Sequence, residues 1–313
     1  MNTSLSLSKI ALSNKNLFKR AFSSTSVNNR AWKRLIRFEG LDNKIHYGEP
    51  INVNEINDSN VNNLKARIVK GDILTKNNEV TDEVVGVKKL LAPLEKPDSF
   101  LCIGLNYKKH AKEAKREPPI YPILFTKNSH ALNHPNGVIE VPKIATNNQV
   151  DYEVELCVVI GKECKNVKKE DALKYVAGYT VGNDVSARKW QGNKLGGGQW
   201  CFSKGFDGFA PIGPQLVSPE IIPDPNTLKL EMKVNGETLQ SSNTKDMIFD
   251  VPTIISFLSQ GTTLVPGTVI MTGTPEGVGF TRKPPIWLLD GFKTDATIEK
   301  IGSLKNTVKY LKE

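Results

Sequence analysis

Asp151-Tyr152-Glu153-Val154-Glu155-Leu156-Cys157-Val158-Val159-Ile160 is crowded with aliphatic side chains and stopped by Gly161. That composition predicts a buried strand over the whole run. Side chains alternate along a strand, so Glu153 and Glu155 leave the same face of an otherwise apolar element. Two unpaired carboxylates indoors repel, and buried uncompensated charge is costly. The pair therefore needs a cation between its members or a shared proton. Oxygen-only ligation with positions left for water is how magnesium or manganese is held. An isolated Glu-x-Glu is more often the outward face of a half-exposed strand. The clusters on either side of this one favour the cation.

Upstream, 100–105 reads as a short buried strand that delivers Asn106-Tyr107-Lys108-Lys109-His110-Ala111-Lys112-Glu113. His110 and Glu113 are three apart, so on a helical turn they share a face and can act as a general base with its orienting carboxylate. A solvated, Lys-laced helix is the plainer reading of this segment alone. Downstream, 168–176 has a helical pattern ended by Gly178, and 179–183 is another strand. Asp184 stands at that strand's end, where scaffolds hold functional residues; a turn Asp capping the next helix competes with that reading. The glycine-rich 192–198 lacks phosphate-loop spacing and reads as a mobile loop. Asn235-Gly236 between two strands is a strong hairpin signal. Residues 251–260 place Val251, Ile254, Ile255 and Leu258 on one helical face, with Gly261 suited to the turn that follows.

Nearer the start, 32–94 alternates short apolar stretches with turns: strands at 34–38, 45–47 and 66–69 and a short helix at 84–91. Pro93 and Pro97 then punctuate the chain. A small N-terminal β-rich domain over 32–96 and a larger domain over 97–313 are expected. Residues 1–31 read as an address and linker. Between Met1 and Phe38 there is no Asp or Glu, while Ser and basic residues abound. That is the composition of a mitochondrial transit peptide, with cleavage expected after Phe22 in Arg20-Ala21-Phe22-Ser23-Ser24.

The net charge of +9 falls to +5 if the chain is cut after Phe22, and to +1 if every basic residue through Arg37 is set aside. No interleaving of aromatic and basic residues of the RNA-binding kind is present, so no nucleic-acid partner is expected. The longest apolar runs fall short of a membrane span, and no membrane partner is expected. Cys102, Cys157, Cys164 and Cys201 have neither C-x-x-C spacing nor a His cluster. Zinc and dithiol chemistry are unsupported, and Cys102 and Cys157 read as small core residues.

Read together, "LNYKKHAKE", "DYEVELCVVIGK", "GYTVGNDVSARKWQ", "GQWCFSKGFDGFAPIGP", "VNGETLQSSNTKDMIF" and "PGTVIMTGTPEGVGFTRKPP" closely resemble the fumarylacetoacetate hydrolase family, most nearly its mitochondrial domain-containing-2 branch. The likeness covers 97–309 in family order. It implies a mainly β (α+β) fold, a mixed β-sandwich roll, usually dimeric, so a homodimer is expected. It implies a Mg2+ site, with Mn2+ as the other candidate, on Glu153, Glu155 and Asp184. His110 and Glu113 match the acid/base dyad, Lys204 the electrostatic stabiliser, and Gln191 and Thr274 the substrate contacts. Lys189, Thr268 and Gly291-Phe292 depart from the family pattern, at positions outside the ligands and the dyad.

A 2-oxo acid suits such a site. The resemblance admits two chemistries: proton shuttling between carbon and oxygen, or activation of water that breaks a carbon–carbon bond. The mitochondrial branch implies the first, on a 2-oxo dicarboxylic acid: keto-enol tautomerisation of oxaloacetate in the matrix. Acylpyruvate hydrolysis or oxaloacetate decarboxylation is the alternative.

Overall fold

The computed structural model describes residues 30–75 and 77–312. The proposed address and cleavage site, before residue 30, lie outside the described residues. Four antiparallel strands come first, β1 (Arg34–Gly40), β2 (Ile45–Pro50), β3 (Lys65–Gly71) and β4 (Asn78–Leu91). There follow β5 (Phe100–Gly104), helix α1 (Lys108–Glu113), β6 (Ile123–Lys127), β7 (Leu132–Asn133), β8 (Val138–Val141), β9 (Val150–Asp151), β10 (Val154–Ile160), β11 (Val176–Asn183) and β12 (Ser186–Ala187). Three short helices, α2 (Arg188–Gln191), α3 (Asn193–Gly196) and α4 (Trp200–Lys204), lead to β13 (Ala210–Val217). The rest is β14 (Lys229–Val234), β15 (Glu237–Asn243), α5 (Val251–Leu258), β16 (Val269–Met271), β17 (Lys293–Ile298) and β18 (Gly302–Tyr310).

The large sheet runs β2-β3-β4-β1-β13-β11-β10-β16-β5-β6, with β7 on β13, and a five-stranded sheet runs β15-β14-β17-β18-β8. The fold is mainly β and mixed, because β16–β5, β13–β7 and β18–β8 are parallel pairs. Alternation along β10 organises the interior. Val154, Leu156, Val158 and Ile160 join a core shared with Leu230, Met232 and Val234 of β14 and with Ala296 and Leu304 of β17 and β18. That core is the filling of a sandwich between the two sheets. Cys157 and Val159 point the other way, into a second core with Cys102, Phe125, Ala210 and Met271. Glu155 is in phase with them, so its carboxylate enters an apolar layer. A third cluster, with Ile36, Phe38, Ala66, Ile68 and Leu90, belongs to the first four strands.

Several expectations need correction. Residues 84–91 are not a helix but the second half of β4, paired with β3 on one side and β1 on the other. Val80, Val84, Val85 and Val87 fit a pleated surface better than a helix, and two waiting partners decide it. The run 151–160 is not one strand, since Tyr152 and Glu153 interrupt the ladder between β9 and β10. The helical segment before β11 is a 3-10 turn, Lys169–Tyr175, and Gly178 lies inside β11. The loop read over 192–198 contains α3. The hairpin at Asn235-Gly236 forms with both residues at positive φ, 49° and 86°, and closes β14 on β15. All four cysteines are free thiols, and among the described residues no helix is long and apolar enough to cross a membrane.

Candidate active site

The interruption before β10 is where the site begins. Glu153, released from the ladder, donates its N–H to Asn183 Oδ1 at 3.0 Å and accepts the N–H of Asp184 at 2.9 Å. These bonds fasten the end of β11 beside the start of β10. As a result Glu153, Glu155 and Asp184 each offer a carboxylate oxygen within 4.8 Å of the others, all three side chains being buried. Glu155 Oε2 accepts the N–H of Gly273 at 2.7 Å. Gly273 has φ +99°, and a Cβ there would stand 2.7 Å from Asn106 Cβ and 3.0 Å from Ile103 O. Glycine is required for that donor to reach Glu155.

Three cations face the carboxylates, Lys127 and Lys204 buried and Arg188 partly so. Lys204 Nζ bridges Glu153 Oε2 at 2.8 Å and Asp184 Oδ2 at 2.6 Å. Lys127 Nζ lies 2.5 Å from Asp184 Oδ1 and donates to the carbonyls of Phe209 and Val185. Arg188 reaches Asp151 Oδ2 at 2.8 Å and Glu153 Oε1 at 2.5 Å. Burial pushes the Glu153 carboxyl up, but Arg188 and Lys204 outweigh it and bring it to about 2. Burial pulls Lys204 down, and Asp184 and Glu153 more than restore it, so it stays charged. Glu155 has no cation of its own. Burial, then Asp184 and Glu153, drive its carboxyl well above the usual range.

Among the described residues, the carboxylates of Asp151, Glu153, Glu155 and Asp184 face only Lys127, Arg188 and Lys204. The cluster is one positive charge short, and the deficit sits on Glu155. An all-oxygen donor set with that deficit fits a hard divalent cation.

Beside the triad, α1 carries His110, whose Nδ1 lies 3.2 Å from Glu113 Oε2. Both oxygens of Glu113 accept the N–H of Gly277 at 3.1 Å. Burial raises the Glu113 carboxyl, yet hydrogen bonds from His110, Thr281 and Gly277 hold it below its ordinary value. With Nδ1 engaged, Nε2 is the ring nitrogen left to exchange a proton. The helix is anchored by a bridge between Tyr107 and Met247 and by the N–H of Lys109 on Asp246 Oδ2, 3.0 Å.

A cavity of about 300 Å³ joins these parts, lined by His110, Glu153, Glu155, Asp184, Gln191, Lys204 and Thr274. Of the residues singled out in the sequence, Glu113 alone stands behind this wall, against His110. Gln191 accepts from Arg188 Nη1 at 3.0 Å, leaving its amide NH2 for a ligand. Thr274 Oγ1 donates to Val154 O and accepts from Gln240, so much of its hydrogen-bonding capacity is already used. Arg116, Arg188, Phe125, Trp200 and Phe280 also line the cavity and were not singled out beforehand. Arg188 follows Asp184 closely, and a basic residue beside a buried acid was the signal available. Arg116 offered no signal.

The model of the fumarylacetoacetate (FAA) hydrolase C-terminal family matches residues 99–309. This chain belongs to the fumarylacetoacetate hydrolase family. Within the family it is 52% identical over 230 residues to the fumarylacetoacetate hydrolase domain-containing protein 2 homolog of Dictyostelium discoideum, covering 71% of this chain and 74% of that one. It is 46% identical over 218 residues to a Rattus norvegicus protein named oxaloacetate tautomerase Fahd2a, mitochondrial, covering 70% and 68%. Among solved members, the 2-hydroxyhepta-2,4-diene-1,7-dioate isomerase of Mycobacterium marinum superposes with TM-score 0.74 at 34% identity, over 90% of this chain and all of that one.

Proposed function

We propose that this chain is a magnesium-dependent oxaloacetate tautomerase of mitochondria, converting the enol of oxaloacetate to its keto form. The observation that carries the reading is a buried carboxylate triad within a cluster of four acids one positive charge short, sharing a cavity with an imidazole whose Nε2 is unengaged. Relatives named oxaloacetate tautomerase and mitochondrial support the substrate and the compartment. Glu153, Glu155 and Asp184 would hold the cation, which when bound supplies positive charge to polarise a substrate oxygen. His110 carries a proton between C3 and the enol oxygen through Nε2. Glu113 fixes the ring's orientation and favours its charged form between the two transfers. Lys204 and Arg188 offset negative charge in a site shielded from water. Gln191 offers its amide to the substrate.

The same reading takes 1–31 as targeting segment and linker, 32–96 as a small N-terminal domain and 97–313 as the catalytic domain. It takes the active form as a homodimer. Support for a second copy comes from β6, the last strand of the large sheet, where Ile123 and Leu124 are 36% and 48% exposed. An open, apolar strand edge is a surface that proteins cover.

The test is isotopic. In deuterium oxide with magnesium, label should enter C3 of oxaloacetate faster than pyruvate appears. Pyruvate formed as fast as label enters, or acylpyruvates cleaved far more efficiently than enol-oxaloacetate is converted, would overturn tautomerisation in favour of bond breaking.

A further inference from the structure

We infer that Arg116 is the residue that selects substrates bearing a carboxylate at the end away from the 2-oxo group. This deepens the proposed function and rests on it for the orientation of the substrate. The chelating end of a 2-oxo acid belongs with the triad at the buried side of the cavity, where Glu153, Glu155 and Asp184 are at most 5% exposed. Its far end then faces the open rim, formed by Arg116, Gly192 and Phe280.

The cavity's other cations are already committed: Lys204 to Glu153 and Asp184, Arg188 to Asp151 and Glu153. Arg116 lines the same cavity, and no carboxylate of the described residues pairs with it.

Its placement is built. The helix of His110 ends in a Schellman turn: Arg116 N–H donates to Ala111 O at 2.9 Å and Lys115 N–H to Lys112 O at 3.1 Å. Lys115 holds the left-handed position at φ 54°, where glycine is the usual residue. The next residue of this turn commonly carries an apolar side chain that folds back on the helix. Here that position carries Arg116, turned to the cavity. The group that carries protons and the group that grips the far end thus sit on one hydrogen-bonded turn, which sets the spacing between their backbones. A guanidinium pairs a carboxylate with two parallel hydrogen bonds, whereas a neutral far end would leave it unmatched.

The test is calorimetric binding to the full chain with magnesium, using freshly prepared oxaloacetate, its C4 methyl ester and oxalate. The wild type should bind the acid more tightly than the ester, and Arg116→Gln should shrink that ratio by roughly tenfold, the scale of one charge-assisted pair at a partly open site. Arg116→Lys should restore part of it, keeping the charge but not the fork. An unaltered acid-to-ester ratio in Arg116→Gln overturns the inference. So does a loss of oxalate affinity as large as that for oxaloacetate, because oxalate has no far end. Enol conversion is assayed apart from binding, so failure of the tautomerase reading would appear separately, as absent enol conversion by a wild type that still binds.

Discussion

Glu155 separates a structural acidic cluster from a cation site. Its carboxyl is driven up by burial and by Asp184 and Glu153, so a proton competes there with the cation. Titration of magnesium in buffers of different ionisation enthalpy should show about one proton released per ion at pH values below that raised pKa. Affinity should therefore tighten as pH rises. The sign for stability is opposite to that of a paired acid. A carboxyl raised on folding costs stability once pH exceeds its unfolded value, and the cost is complete above the folded one. Metal-free protein should thus lose stability as pH rises from the ordinary carboxyl range to the raised one, and magnesium should cancel the loss in a thermal melt. Glu155→Gln should release no proton and weaken the cation beyond the roughly 10–100-fold typical of losing an outer partner. His110→Ala should instead slow turnover by about a hundredfold or more while calorimetry shows magnesium still bound. Glu153 and Glu155 were legible because strand alternation is local, and His110 with Glu113 because helical spacing is local. Lys127 was not, since its ties to Val185 and Phe209 span 58 and 82 residues. A lone Lys after an apolar run ordinarily signals only a solvated end.

At the scale of elements, local chemistry and long-range pairing divide the outcome. The Asn235-Gly236 turn was legible because its two positive φ values are demands of the turn itself. The strand over 84–91 was not, because β4 owes its conformation to β3 and β1, neither of which the segment's own pattern announces. Two glycines make the contrast measurable. At Gly236 an added Cβ meets nothing within 4 Å, so Gly236→Ala should cost only the left-handed penalty, about 1–2 kcal/mol in urea denaturation. Cation affinity should be retained. At Gly273 the same penalty is joined by contact with Asn106 Cβ at 2.7 Å, and the displaced backbone N–H is the one that Glu155 accepts. Gly273→Ala should therefore cost more stability and weaken magnesium as well, and equal costs in the two variants would refute the assignment.

On the scale of the whole molecule, N-terminal sequencing of protein from mitochondria should find a start near Ser23, and an intact Met1 there would refute import with trimming. Such a cut spares Arg30, whose guanidinium donates to the carbonyls of Leu74, Val176 and Ala177 and so ties the turn between β3 and β4 to β11. Punctuation suggests a boundary near Pro97, yet the large sheet runs across it, because Arg34 and Leu35 of β1 pair with Val217 and Leu216 of β13. That join has a temporal meaning. A chain threaded into an organelle with its beginning first delivers β1 long before β13. Until residue 217 has arrived, the N-terminal strands have no partner on that side. Topologies that pair distant segments fold slowly and expose strand edges while they wait. For an imported chain, the passage from entry to activity should therefore include a vulnerable interval, set by the arrival of the central strand.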